Sequence, residues 1–433
     1  MTRAATWQNW AGNQRTDPVR TVRARDAGDV AAAIGEAARD GLRVKALGSG
    51  HSFTGVAVAD GVAVLTPSDP AGLRVDSATG RAVVPAGMTL RALNELLWRH
   101  GRALPNLGDI DAQTIAGAIS TGTHGTGAGH RGLAAQVVGC RIVLADGSVV
   151  DCSAEHEPEL FSVARLGLGA FGVLVEVTLQ TVPAFMLHAR EAALPLPGVL
   201  SELDALTAEN EHFEFYWFPH TDVAATKRNN RSHADGPTRG KVAEWVGDDL
   251  LGNGAFGALC RAGRTAPRLV PRLNRLLADR FAAGEYVDRC YRVFTSPRRV
   301  RFLEMEYAVP REAFGEAFAG LRAAVDRHAR GVMFPVEVRV AAADEVPLST
   351  ASGRDSAYLA VHVHRGQPHE AYFGAVESVM VALGGRPHWG KLHTRTAATL
   401  RGSYPEFDRV VALRDELDPE RRFGNAYLER VLG

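Results

Sequence analysis

Residues 45–55 read KALGSGHSFTG, and this glycine-rich loop decides how the first third of the chain folds. It directly follows residues 42–47 (LRVKAL), an apolar run that predicts a strand. The glycines let the backbone approach a ligand closely, and His51 stands next to them. Such a loop can cradle a phosphate, bind a metal ion or hold a cofactor, so the rest of the chain has to decide between these uses.

A β-α-β unit leads into the loop. Residues 21–24 (TVRA) are extended, and 26–41 predict a helix with Asp26 as its N-cap and Gly41 as its stop signal. More strands are predicted within 61–67, 80–90 and 137–151, the last a hairpin with Asp-Gly at its turn, and a helix within 89–101.

The character of the sequence changes near Pro183. Four extended segments follow, with leucine-spaced helical segments between them, which predicts an α+β domain built on a mostly antiparallel sheet. The four segments are 212–218 (HFEFYWF), 302–309 (FLEMEYAV), 334–342 (FPVEVRVAA) and 357–364 (AYLAVHVH).

Composition narrows the function class. The chain has 433 residues with 49 basic and 49 acidic side chains, so no net charge favours nucleic acid or an anionic membrane. Its most apolar stretch is too short for a membrane span, and residues 1–12 lack a signal-peptide core. The four cysteines are scattered. We therefore expect a cytoplasmic protein with no nucleic-acid partner and no membrane span.

Two stretches match the G-x-G-x-x-G pattern, namely 127–132 (GAGHRG) and 167–172 (GLGAFG). A Rossmann site needs a strand before this pattern and a helix after it. Both stretches instead run toward a strand, which argues against a nicotinamide dinucleotide site. Three glycine-rich loops in one domain indicate a dinucleotide cradle of another type.

Six motifs in order resemble a known family. Segments 46–53, 114–127 (TIAGAISTGTHGTG) and 166–183 are similar to the FAD-binding domain of the vanillyl-alcohol-oxidase superfamily. The later segments 337–339 (EVR), 386–393 (RPHWGKLH) and 417–428 narrow the resemblance to the sugar-1,4-lactone oxidoreductases, with alditol oxidase as a close relative.

The resemblance implies a two-domain fold of the VAO (PCMH) type. We expect an FAD-binding domain over 1–183, a substrate domain over 184–400 with an antiparallel sheet flanked by helices, and a C-terminal segment over 401–433 that packs back on the first domain.

The resemblance also implies FAD, covalently attached through His51. The alternative is a loop histidine that only hydrogen-bonds a phosphate or a carbonyl group. The cofactor contacts implied by the motifs are Leu47, Gly48, Ser49, Gly50, Ser52, Thr114, Ser120, Thr121, Gly122, Thr123, His124, Gly169, Gly172, Val173 and His388.

Strand parity gives an independent argument for the reacting groups. In 334–342 Glu337 and Arg339 point the same way, about 7 Å apart at Cα, while the valines point the other way. In 357–364 His362 shares a face with Tyr358. The alternative is a solvated sheet face with a surface ion pair. The resemblance adds Lys391 as the cation beside the flavin, and His362 is a further catalytic candidate.

We therefore expect hydride transfer from a carbinol C–H of an L-gulono-1,4-lactone type substrate to FAD, which O2 or an acceptor such as a cytochrome or quinone reoxidises. An alditol oxidase is one alternative. A non-catalytic flavin- or sugar-binding protein is another, and a muramate-reductase-like enzyme a third, although residues 388–391 (HWGK) argue against it. No metal is expected, because His362 and His364 lack further ligands at suitable spacing.

Overall fold

The computed structural model describes residues 6–234, 236–238, 260, 263, 266–281, 283–296 and 298–433. Within those ranges no helix is both long and apolar enough to cross a membrane.

The strands lie at β1 Trp7–Gln8, β2 Arg15–Thr16, β3 Arg20–Arg23, β4 Val44–Leu47, β5 Val62–Leu65, β6 Arg74–Asp76, β7 Arg81–Pro85, β8 Arg102–Ala103, β9 Val137–Val143, β10 Val149–Ser153, β11 Val173–Gln180, β12 Val182–Pro183, β13 Met186–Pro195, β14 His212–Trp217, β15 Val223–Ser232, β16 Ala283–Arg289, β17 Phe302–Pro310, β18 Val336–Ala341, β19 Ser356–His364 and β20 Arg386–Pro387. The helices are α1 Ala27–Arg39, α2 Leu90–Arg99, α3 Ile115–Ser120, α4 Pro158–Ala164, α5 Leu196–Ser201, α6 Leu203–Glu209, α7 Val270–Phe281, α8 Cys290–Phe294, α9 Phe314–His328, α10 Glu370–Ala382, α11 Ala397–Leu400, α12 Phe407–Leu417 and α13 Ala426–Leu432.

The predicted β-α-β start is present. Strands β3, β5 and β4 form a parallel sheet in that order. Helix α1 begins at the predicted N-cap, where the Asp26 side chain accepts a hydrogen bond from the Asp29 N–H at 2.9 Å. Gly41 follows the helix with φ of +66°, a conformation that glycine adopts at low cost. The glycine loop therefore leaves the carboxyl end of β4 at the edge of a buried sheet.

A second sheet closes the first domain around the cleft described below. Its order is β10-β9-β11-β7-β6, with antiparallel pairing and the predicted hairpin between β9 and β10. Glycine motif 167–172 runs directly into β11, as the sequence indicated.

An eight-stranded antiparallel sheet dominates the second half, in the order β16-β13-β15-β14-β18-β19-β17-β20. The four segments predicted as strands form its middle. Sequence reasoning did not single out β13, β15 and β16, because their polar and small residues show no clean apolar alternation. Helices α9 and α10 pack on the apolar face, against Val336, Val338 and their neighbours.

The C-terminal helices bury side chains in the same core as α2 and α3 of the first domain; Leu400, Phe407, Tyr427 and Leu432 belong to it. Asn425 caps α13 and its side-chain N–H groups donate to carbonyl oxygens of residues 55, 56 and 58. The last part of the chain therefore braces the segment that follows the His51 loop. The domain boundaries at 183 and 400 stay predictions.

Candidate active site

A cleft opens where the three glycine-rich loops meet. It encloses about 950 Å³ of space, its open mouth included. The first wall is the loop after β4, the second is residues 113–121 around α3, and the third is 167–174. The predicted cofactor residues that line it are Leu47, Gly48, Ser49, Gly50, His51, Ser52, Thr114, Ser120, Thr121, Gly169 and Gly172.

The glycines of this cleft are required by close packing. A Cβ atom at Gly48 would lie 2.6 Å from the Thr114 Oγ1, and one at Gly172 would lie 2.6 Å from the Val143 carbonyl oxygen. Such distances exclude any side chain, so backbone alone forms these parts of the cleft. A cleft walled by backbone from three loops fits a dinucleotide, whose phosphates are held by N–H groups.

The N-terminal segment holds the His51 loop in place. The Asn9 side-chain amide donates to the Ser52 carbonyl oxygen at 2.9 Å, and the Trp10 ring stacks on the His51 ring at 5.6 Å between centroids. Sequence reasoning missed both residues, because nothing in residues 7–14 signals contact with a loop forty positions later.

The His51 imidazole is neutral near pH 7. Burial lowers its pKa, and the positive charge of Lys391 lowers it further, against the opposing effect of Asp109. A neutral imidazole keeps the nitrogen lone pair that a nucleophile needs. Lys391 and Asp109 are thus within electrostatic range of His51.

Lys45 lies beneath the third wall of the cleft, and it too was missed. Its buried ammonium donates to the carbonyl oxygens of Leu168, Gly169 and Phe423 at 3.1–3.3 Å. Burial lowers its pKa to about 7. Lys45 thus ties strand β4, the GLGAFG loop and the C-terminal segment together. A lysine inside an apolar strand was a signal that could have identified it.

Glu337 and Arg339, which the sequence placed on one face of a strand, form an ion pair on the large sheet. An Arg339 Nη2 lies 2.5 Å from Glu337 Oε1, and its Nε donates to Glu214 Oε2 at 2.7 Å. All three side chains are buried. Tyr216 stands directly opposite Glu337 on the neighbouring strand. The surface ion pair that was the alternative is excluded, because a guanidinium between two buried carboxylates is not solvated.

Glu214, Arg339 and Glu337 form a buried row, and in this row Glu337 is the group that can change its charge near neutral pH. Burial raises its pKa to about 7; Arg339 acts against this change, and Asp109 and Glu214 reinforce it. Its Oε1 has no well-aligned hydrogen-bond donor among the described residues, although it contacts Arg339.

Lys391 forms an ion pair with Glu304 of strand β17 in the large sheet. Its Nζ lies 2.5 Å from Glu304 Oε2, and His362 Nε2 lies 3.4 Å from the other oxygen of that carboxylate. Burial opposes the charge on Lys391, but Glu304 and Glu306 outweigh burial and raise the lysine pKa. Lys391 is consequently a fixed positive charge close to His51.

Five predicted cofactor residues do not line the cleft. They are Gly122, Thr123, His124, Val173 and His388. His124 Nε2 contacts Glu306 Oε1 at 3.0 Å, and its ring stacks on Tyr358 at 3.7 Å. His388 is buried beside it, and burial lowers its pKa to about 3. These two histidines lie between the second loop and the sheet.

An ion pair also joins the two halves of the chain next to the site. Arg298 donates to the Asp109 carboxylate, and the Ser296 N–H donates to the Asp109 carbonyl oxygen at 3.0 Å. Asp109 lies within electrostatic reach of Arg339 and Lys391. Sequence reasoning missed this pair, because both residues lie in loops without periodicity.

Three carboxylates of the site could have been found by parity. Glu214, Glu304 and Glu306 stand at alternate positions of strands that the sequence predicted, as Glu337 and Arg339 do. These charged residues interrupt the otherwise apolar strands β14 and β17, and such an interruption indicates a functional position.

Comparison with known proteins agrees with this geometry. Residues 18–153 match the profile of an FAD-binding domain, and residues 177–431 match the profile of D-arabinono-1,4-lactone oxidase. The chain therefore contains an FAD-binding domain in the half that forms the cleft.

Several curated proteins are similar over nearly the whole chain. L-gulono-1,4-lactone dehydrogenase of Mycobacterium tuberculosis is 45% identical, with 99% of each chain covered. Mouse L-gulonolactone oxidase is 34% identical and a Streptomyces alditol oxidase 31% identical, each with 98% of both chains covered.

Among solved structures, cholesterol oxidase from Brevibacterium sterolicum superposes with a TM-score of 0.84. The alignment covers 99% of this chain and 96% of that one at 18% identity, so it bears on the fold alone. Since one family profile spans more than half of the residues and relatives above 30% identity span nearly all of them, the chain belongs to the D-arabinono-1,4-lactone oxidase family.

Proposed function

We propose that this protein is an FAD-dependent oxidoreductase that oxidises a carbinol carbon of a sugar-1,4-lactone of the L-gulono-1,4-lactone type. The observation that carries the proposal is the buried row of Glu214, Arg339 and Glu337. Asp109 interacts electrostatically with Arg339, with Lys391 and with His51, which links this row to the cleft. A sheet face with these donors and acceptors suits a small polyhydroxylated ring. The names of the similar dehydrogenase and oxidases favour a lactone over an open-chain alditol.

Each charged side chain of the site has a separate role in the proposed reaction. FAD supplies the hydride acceptor when it is bound in the cleft. Arg339 binds the reacting hydroxyl group and stabilises the negative charge that develops on its oxygen. Glu337 accepts a hydrogen bond from the substrate and orients it. Lys391, held by Glu304, provides a fixed positive charge toward the flavin.

Glu337 is also the group that can take the hydroxyl proton. Arg339 keeps its proton at every accessible pH, and the raised pKa of Lys391 keeps that side chain charged. A carboxyl group with a pKa of about 7 can accept a proton and return it to solvent near neutral pH.

The proposal extends to the link between cofactor and protein. A covalent bond from His51 to the flavin is supported by the position of the neutral imidazole on the cleft wall. A cytoplasmic location also belongs to the proposal and is supported by four buried cysteine thiols.

A reduction experiment tests the substrate. Purified protein is mixed anaerobically with L-gulono-1,4-lactone, xylitol or NADPH, and the visible flavin absorbance is followed. We expect the lactone to bleach the flavin much faster than xylitol or NADPH does. Bleaching by xylitol alone would establish an alditol oxidase, and bleaching by NADPH alone a reductase. If none of the three compounds bleaches the flavin, the protein is a flavin- or sugar-binding protein without turnover. Admitting air afterwards distinguishes an oxidase, which regains its colour, from a dehydrogenase that needs another acceptor.

The rate is expected to depend on pH through Glu337. Because its pKa is raised, the carboxyl is protonated below about pH 7 and cannot accept the substrate proton. We therefore expect kcat/KM to fall as the pH drops through 7, and Glu337→Gln to be slow at every pH without that inflection. Steady-state rates measured from about pH 5 to about pH 9 test this expectation. Glu285→Gln, on the surface, should keep the wild-type profile, and an inflection that survives in Glu337→Gln would assign the titration to another group.

A further inference from the structure

A second cluster of ligand-type side chains lies outside the proposed reaction site. His130 belongs to the glycine motif GAGHRG, which the FAD cleft does not use, and Glu211 and His212 stand at the start of β14. One nitrogen or oxygen atom from each of the three side chains lies within 4.8 Å of the other two. His130 Nε2 and His212 Nε2 lie 3.9 Å and 4.0 Å from Glu211 Oε1.

At this cluster, His212 carries a buried ring nitrogen without a hydrogen-bond partner in the described part of the chain. Its side chain is completely buried, and its Nδ1 lies 2.9 Å from the Thr126 carbonyl oxygen, to which it must donate. The proton on Nδ1 leaves Nε2 with a lone pair, and Nε2 has no hydrogen-bond partner among the described residues. Leaving a buried acceptor unpaired is destabilising.

His212 Nε2 also lies 4.0 Å from Glu211 Oε1, and both atoms are hydrogen-bond acceptors. Two acceptors at this distance repel, and a cation between them would pair with both.

The surroundings match those of metal ligands. Metal-binding histidines usually donate their other ring N–H to a backbone carbonyl, as His212 does to Thr126. Ligating carboxylates are usually hydrogen-bonded in turn, and the Arg231 Nε donates to Glu211 Oε1 at 2.9 Å from outside.

We propose that His130, Glu211 and His212 bind one divalent transition-metal ion, for which Zn²⁺ is the reference. Two imidazoles and one carboxylate suit zinc and similar ions, whereas Mg²⁺ and Ca²⁺ prefer oxygen ligands. A water molecule would complete a tetrahedral set.

Binding requires His130 and Glu211 to move. Zinc bonds of about 2.1 Å place tetrahedral ligand atoms about 3.4 Å apart, so each histidine nitrogen and the carboxylate oxygen must approach by about 0.5 Å. The His130 and His212 rings lie almost parallel, 11° apart with centroids at 4.4 Å, and one of them must tilt to aim at a shared ion. His130 is the partly exposed ring of the pair, so it can tilt and admit the ion.

The ion would join two parts of the protein. His130 follows the loop of Thr126, whose hydroxyl donates to the Phe213 carbonyl oxygen. His212 starts the strand that carries Glu214, the partner of Arg339. The site therefore connects the second glycine-rich loop to the strand that positions the reacting guanidinium, which is a structural role.

The test uses the holoprotein, expressed without a polyhistidine tag and dialysed against a chelator. Zn²⁺ is titrated in by calorimetry, and the zinc-loaded protein is examined by X-ray absorption at the zinc edge. We expect one site per chain, with two imidazole ligands in the spectrum. His130→Gln should bind at least about 100-fold more weakly, and His156→Gln, at an exposed histidine, should bind like wild type.

Thermal unfolding gives a second measurement. Zn²⁺ should raise the Tm of wild type and of His156→Gln but not that of His130→Gln, because an ion that binds only the folded state stabilises it. If His130→Gln does not fold, Glu211→Gln replaces it and should show the same loss. Equal zinc affinity in wild type and the ligand variants, or a spectrum without two imidazoles, would overturn the proposal.

Discussion

Replacing Arg339 by alanine is expected to lower kcat/KM for L-gulono-1,4-lactone by about 10³-fold. In the proposed reaction the guanidinium stabilises the charge on the reacting oxygen, and removing one such donor costs about 10²–10³-fold in rate. It also neutralises two buried carboxylates, since Glu214 and Glu337 both contact it. Arg339→Ala would leave these carboxylates without their shared partner, so the loss should be at the upper end of that range.

Steady-state kinetics measure the effect, and two variants make it specific. Arg339→Lys keeps the charge but cannot contact both carboxylates in the same way, so it should fall between wild type and alanine. Arg190→Ala removes an exposed arginine that pairs with Glu285 on the surface, and its rate should be unchanged. The visible flavin spectrum shows whether each variant still binds FAD. An Arg339→Ala protein with bound FAD and a wild-type rate would remove Arg339 from the reaction site.

His51→Ala is expected to abolish covalent attachment of the flavin. In wild type the precipitate formed by acid should keep the yellow colour, whereas in His51→Ala the colour should pass entirely into the supernatant. The physical reason is that the proposal makes the neutral His51 imidazole on the cleft wall the nucleophile, and alanine offers no atom in its place. In-gel flavin fluorescence under denaturing conditions measures how much flavin stays bound to the wild-type and His51→Ala chains.

The matched control is His156→Ala, which removes an exposed histidine and should leave attachment intact. His51→Ala should still bind FAD noncovalently, because backbone groups from three loops form the cleft. Colour in the supernatant of the wild type would show that the flavin is not covalently bound, without removing FAD from the protein. Colour retained in the His51→Ala precipitate would move the link to another residue.

Local patterns in the sequence were enough for the elements that carry the site. Asp26 and Gly41 bound α1 as a capping rule predicts, and the run before His51 is a strand. The alternation of 334–342 placed Glu337 and Arg339 on one face and the valines in the core. Strands β13 and β15 were not predicted, because their polar and small residues show no apolar alternation. Their strand conformation is evident only from their pairing with each other.

The sequence by itself determined which residues alternate on a strand, which glycines are clustered and which family the order of motifs resembles. Only the tertiary structure decided that Arg339 is held between Glu214 and Glu337, that Glu304 holds Lys391, and that Trp10 stacks on His51. The reason is physical: backbone periodicity depends on neighbours in the chain. Charge pairing and burial depend on residues far apart in the sequence, which meet only when the two halves of the protein pack together.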